Sequence, residues 1–322
     1  TVSSGGTLQL ESNTVSVAIS GETANLTGTG VGGTRGALAG WTGNNTWSGN
    51  VVLDAASSIH VNAQNLTVSG VVSGAGSLGK TGVGSLTLGG GASNTYTNTT
   101  TVNVGGLILS KTGDAKAVNG NLVVYADASH RGTVWPTASN QLGGANTILS
   151  GVRNPGLGTF ALNGTTQFIA GINCATADGL MIANSALTSG SPPPDNTGAS
   201  VLVLEGAGIY SHSAYVWNAW GGSGTLALMK TGAGTQTLAG AQITYTGPTT
   251  LADGNLTLYN ATGFASDIGV SNTATLVMTN SGNWTYSKNI TGGDTWLMRG
   301  NNTSGQGHYD LTGANASGFT GT

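Results

Sequence analysis

Residues 74–81 read Gly-Ala-Gly-Ser-Leu-Gly-Lys-Thr and satisfy the phosphate-loop pattern: a glycine, four variable residues, then Gly-Lys-Ser/Thr. Such a loop grips phosphate only where a strand feeds a helix whose first amides point at the anion. Here Gly82-Val83-Gly84-Ser85-Leu86-Thr87-Leu88 follows, which reads as another strand, and a second copy of the segment carries Met229 where the first carries Gly79. Nucleotide binding is not expected, and no cofactor is implied. Sugar-cleaving chemistry needs clustered carboxylates, often with a Lys, an Arg or a bound cation beside them. The twelve acids are never adjacent or two apart, and the closest opposite pair, Asp114 and Lys116, reads as a solvated loop pair. His60, His130, His212 and His308 lie far apart with no metal-ligand spacing. No catalytic residue, metal ligand or enzymatic activity is expected. One aromatic concentration remains: Tyr210, Tyr215, Trp217 and Trp220. Exposed aromatics stack on sugar faces, which makes these four candidates for glycan contact; capping a core or filling a subunit contact is the plainer role. The single cysteine, Cys174, cannot form an internal disulfide and is expected to be a small buried residue.

The elements that would position these side chains follow from composition. Charged residues are 7% of the 322, against roughly a quarter in an average domain. There are 56 glycines, yet 38% of residues are hydrophobic and the net charge is only −3, so a packed core is expected and disorder is not. Nine scattered basic residues argue against a nucleic-acid partner. No apolar run approaches the ~18–20 residues of a membrane helix. The first ten residues, TVSSGGTLQL, hold no signal-peptide pattern, so any export signal is expected outside this stretch.

No window shows helical apolar spacing. Short alternation recurs instead, at 7–10, 15–19, 85–88, 101–104, 121–124, 159–162, 255–258 and 274–278, with one apolar face and one Thr/Ser/Asn face. Segment 74–109 recurs at 224–258. Lys80-Thr81-Gly82 matches Lys230-Thr231-Gly232, Tyr96 matches Tyr245, Thr100-Thr101 matches Thr249-Thr250, and Leu107/Leu109 match Leu256/Leu258. A third copy can be assembled from 311–322 followed by 1–10. There Phe319 stands for the tyrosine, Thr322 and Thr1 for the threonine pair, and Leu8/Leu10 for the closing leucines. Repetition of strand-forming segments predicts an all-β, parallel β-helix (β-solenoid), open-ended and stackable, with rungs of roughly 20–25 residues. One continuous domain over 1–322 is expected. Residues 189–200, with Pro192-Pro193-Pro194, would form a loop excursion, because consecutive prolines cannot sit in a ladder.

The run Gly-x-Gly-x-Leu-x-Lys-Thr-Gly-x-Gly-x-Leu-x-Leu, then an aromatic, a Thr-Thr pair and Gly-x-Leu-x-Leu, resembles the autotransporter-associated β-strand repeat of secreted bacterial passenger proteins. That resemblance implies a right-handed parallel β-helix at the cell surface or beyond it, and brings no catalytic residues. The expected function is a structural subunit or tandem repeat unit of an extracellular fibre, joined head to tail by β-edge pairing. Its expected interface is Thr1, Val2, Leu8 and Leu10 on one side and Leu311, Phe319, Thr320 and Thr322 on the other. The alternative is an adhesin or glycan-binding passenger, in which the solenoid only displays the proline loop and the aromatics.

Overall fold

Alternating apolar and hydroxyl residues settle into short strands, each lying beside the strand one turn of chain earlier and one turn later. The computed structural model describes residues 1–12, 16–126, 130–153, 156–176, 179–184, 198–218, 223–292, 296–300 and 309–310. The main sheet carries thirteen strands in succession, from Leu8–Leu10 to Ile290–Gly292. A second sheet stacks nine strands, from Ala18–Ile19 to Tyr215–Val216, and a third stacks five, from Ile209–His212 to Trp296–Gly300. Strand follows strand in parallel, as in Ser85–Gly90 beside Gly105–Lys111 and Leu122–Ala126 beside Gly144–Arg153. The chain is an all-β solenoid, and its one helical piece among the described residues is a 3-10 turn at Val31–Gly33.

Rung length follows the repeat where the repeat is present. Leu78 pairs with Thr100 and Thr100 with Leu122, 22 residues each, while Thr249 reaches Ile268 in 19. Elsewhere the turns lengthen: Leu122 to Leu149 takes 27 residues and Thr166 to Val201 takes 35. The extra length leaves the ladder as excursions, so the thirteen main-sheet strands span roughly 60 Å at ~4.8 Å each.

The interior is a set of axial rows. Leu66, Leu86, Leu107, Val134, Phe160, Ile182 and Val216 stand in register, each fully or almost fully buried. Burying one such side chain contributes about 1.5–3 kcal/mol. The outward row beside them includes Thr67 and Thr87, with Asn65 Nδ2 donating to Thr67 and the Thr87 hydroxyl donating to Asn65 Oδ1.

The two motif copies occupy matching places. Their Lys-Thr segments close or follow main-sheet strands (Leu78–Thr81 and Leu226–Lys230), and their closing leucines lie in Gly105–Lys111 and Gly254–Tyr259. Gly105 (φ 74°) and Gly254 (φ 67°) are left-handed in both, and a Cβ there would stand 2.5 Å from Gly82 O and 2.4 Å from Gly232 O. Only glycine lets one corner sit so close on the corner before it. Tyr96 and Tyr245 are fully buried, with hydroxyls 2.7 Å from those of Thr100 and Thr249. The position recurs as Phe264, four residues before Ile268, where neither partner has a hydroxyl. Tyr245, Phe264 and Tyr286 then form an aromatic stack with centroids 5.4 and 6.0 Å apart.

The N-terminal half of the third copy is placed differently from the alignment. Leu8 and Leu10 were matched to Leu256 and Leu258 of the third sheet, but Leu8–Leu10 lies in the main sheet, beside Leu38–Gly40. The cause is Val2, which bridges to Leu26 and starts the first rung one face earlier. The partner half, 311–322, lies outside the described residues, as do Val15, His308 and most of the 189–200 excursion. Ser200 already opens the strand Ser200–Leu204.

The tyrosine–threonine bonds generate a differential expectation. Tyr96→Phe strips the buried Thr100 hydroxyl of its partner and is expected to destabilise by about 1–2 kcal/mol. Tyr245→Phe is expected to cost less, because the Thr249 hydroxyl keeps Ser266 Oγ at 2.7 Å. Denaturant unfolding of the two variants measures the difference; equal losses would remove the hydroxyl network as the cause.

Candidate functional site

The lysine of the phosphate-loop look-alike points into the core. Lys80 stands in an inward row between Ile59 and Val102, and Lys230 stands between Leu204 and Leu251. Lys80 is fully buried, and its Nζ donates to the carbonyls of Thr81 (3.0 Å), Gly82 (2.7 Å) and Val104 (3.0 Å). Lys230 Nζ donates to Gly232 O. Lys111, buried in the next rung, donates to Gly70 O at 3.2 Å. Burial pulls Lys80 down to about 7 and Lys111 to about 8. The ammonium of Lys80 is filled by three corner carbonyls and leaves nothing for a phosphate. The signal for this lay in the phase of alternation: Leu78-x-Lys80 and Leu226-x-Leu228-x-Lys230 place lysine on the apolar face.

The aromatic concentration is divided by a fault in the stack. Backbone pairing runs from Ala170 to Gly206 and resumes from Cys174 to Ser211. At Ile172, between them, Gln236 takes the place of a strand, its Oε1 accepting from Ile172 N at 2.9 Å and its Nε2 donating to Ile172 O at 3.1 Å. Tyr210 lies flat on Gly171, where a Cβ would come within 2.3 Å of the ring. Tyr215 and Trp217 pack edge to face with centroids 4.8 Å apart in a different sheet from Tyr210. Trp220 lies outside the described residues. Tyr210 is therefore held as a cover on the backbone, and the three described aromatics form no common platform. His212, beside Cys174 in a parallel bridge, is fully buried with no partner at Nδ1, and burial pushes it down to about 4. Cys174 is buried as expected, its thiol directed at Thr176 O (3.5 Å).

Of the Asp114–Lys116 pair, Asp114 is an exposed turn residue, as expected, and only Lys116 departs from the solvated reading. Lys116 is half-buried, and its Nζ donates to Asn140 O at 2.9 Å and to Asn140 Oδ1. Desolvation lowers its pKa, while Asp114 and Glu205 raise it. Successive rungs bring Asn140, Phe168 and Glu205 alongside, lining an open cleft of about 350 Å³ with Gly143, Gly144 and Ala145. A bulge forms one wall: Gly144 opposes Ile169 but Ile148 opposes Gly171, so four residues of one strand advance beside two of the next. Nothing in the spacing of 116, 140, 168 and 205 announced this cluster, because unequal rungs set it.

Of the expected assembly residues, Thr1 is exposed, Val2 and Leu8 are half-buried and Leu10 is buried; Leu311, Phe319, Thr320 and Thr322 lie outside the described residues. Among the described residues, no three His, Cys, Asp or Glu side chains gather to hold a metal ion, and no helix is long and apolar enough to cross a membrane. No family model, no curated protein and no solved structure matches this chain.

Buried titrating groups give stability a defined pH profile. Lys80 binds its proton more weakly folded (about 7) than unfolded (10.5), so stability rises with pH between those values, by at most about 1.4 kcal/mol per unit from one group. His212 is depressed from 6.5 to about 4, so its contribution is complete above 6.5 and is lost as pH falls toward 4. Buried Tyr96 and Tyr245 have raised pKa values and oppose any further gain above about 10. Denaturation midpoints measured against pH should show both slopes; Lys80→Met should flatten the alkaline one and His212→Leu the acid one. Unchanged slopes in these variants would assign the profile to other groups.

Proposed function

We propose that this chain is a structural unit of a secreted bacterial extracellular fibre that extends by pairing the β-edge of one unit with that of the next, head to tail. The observation that carries the reading is the edge of Leu8–Leu10. It pairs with Leu38–Gly40 on one side and with no described strand on the other. Leu8 N–H donates to Ala37 O, and Leu10 O accepts from Trp41 N. Parallel pairing then turns the peptide groups of Gln9 toward the open side. A row of unpaired N–H and C=O groups is a template for another strand. Its position in the main sheet makes the join one of main sheet to main sheet, with Leu8 and Leu10 continuing the inward rows. Low charge removes the repulsion that would oppose such packing. The repeat resemblance supports placement at the cell surface or beyond it.

Electron microscopy of the purified 322-residue chain tests this directly. Filaments that lengthen by end-to-end addition are expected at high concentration. Gln9→Pro, which removes the outward N–H without touching the bonds of Leu8 and Leu10, should leave folded but unjoined rods. Short isolated wild-type rods at high concentration would sink the fibre reading.

A further inference from the structure

We propose that the cleft lined by Lys116, Asn140, Phe168 and Glu205 binds a neutral saccharide of one or two sugar units. This inference is independent of the fibre reading.

The cleft is a built feature. Its walls come from four separate turns of the solenoid, and its backbone is held in uncommon conformations: Asn140 at φ 64° and Gly144 at φ 60°. Together with the bulge at 144–148 these are departures that a plain ladder would not need. Gly144 is favoured as glycine by its left-handed φ of 60°, and a Cβ there would stand 2.7 Å from Glu205 Oε2. A side chain at 144 would displace the Glu205 carboxylate from its present place beside the bulge.

The chemistry of the walls selects the ligand. Glu205 is half-buried, and among the described residues no donor hydrogen-bonds its carboxylate, leaving two acceptor oxygens facing the cleft. Lys116 carries three N–H donors, and Asn140 O and Oδ1 take two. Phe168, half-buried on the outer face of Thr166–Asn173, offers an apolar surface in the same space. A cation is disfavoured by Lys116 and an anion by Glu205 and Asp114, whose fields both reach Lys116. A neutral polyol meets every wall: adjacent hydroxyls donate to Glu205, another accepts from Lys116, and the C–H face of the ring lies on Phe168. The volume, about 350 Å³, lies at the lower end of small-molecule sites.

The test is a titration of the isotopically labelled full chain, at a concentration where it is monomeric or with Gln9→Pro to keep it so, with maltose, cellobiose, lactose and N,N′-diacetylchitobiose in turn. The amide resonances of Gly143, Gly144, Ala145 and Glu205 are followed. At least one sugar should move them saturably at millimolar concentration. Glu205→Gln and Phe168→Ala should each weaken that sugar by about tenfold or more, with unfolding midpoints near wild type, while Glu22→Gln, on the far rungs, should bind normally. The proposal is overturned if none of the four sugars moves these amides at tens of millimolar, or if Glu205→Gln binds as wild type does. It is also overturned if calcium chloride or sodium sulfate, rather than any sugar, gives the saturable shift.

Discussion

The structure depends on satisfying peptide groups at corners. Along the faces of the solenoid each N–H and C=O meets its partner one rung away, but at each corner the chain turns and the ladder stops. A buried carbonyl left there is costly. The chain answers with side chains that imitate a donor or a whole peptide. Lys80 gathers three corner carbonyls. Asn94 accepts from Val72 N and donates to Ala117 O, linking the rungs on either side of its own. Gln141 closes on both backbone groups of Lys111, and Gln167 takes up Gln141 N in turn. Buried amides and ammonium groups are thus the condition on which so many short strands can stack without helices to cover them.

This accounts for what could be read in the sequence and what could not. Strand positions were legible because period-two alternation is local: 274–278 became Ala274–Asn280 and 255–258 became Gly254–Tyr259. The correspondence of Tyr96 with Tyr245 was legible because each copy contains its own threonine partner four residues on. The facing of Lys80 is written in the alternation, since Leu78-x-Lys80 puts both side chains on the inward face, whereas the phosphate-loop pattern carries no information on facing. The cleft was not legible. Lys116, Asn140, Phe168 and Glu205 meet only because the intervening turns have lengths of 24, 28 and 37 residues, set by excursions that no local pattern counts. The N-terminal leucines show the converse error: Leu8-x-Leu10 has the right letters, but facing and sheet are assigned by Val2 and its bridge to Leu26.

The surface cluster near the first rungs follows the same logic of rows. Arg35 lies 4.3 Å from the Trp41 ring centroid, and Trp41 stacks on His60 at 5.8 Å. His60 in turn shares a hydrogen bond with Thr81 at 3.1 Å. The tryptophan meets both a cation and a second ring, which makes it a clasp across rungs. Burial and the nearby Lys80 and Arg35 hold His60 below its ordinary pKa.

The fault bridged by Gln236 has a mechanical meaning. A stack of peptide ladders is stiff along its axis because every face shares a load among many short bonds acting together. At Ile172, within the main-sheet strand Thr166–Asn173, one step of the ladder is carried by a side chain, and peptide hydrogen bonds resume on either side of it, at Ala170 and Cys174. The rod therefore has one softer step at this level, a single side chain set between intact peptide pairs.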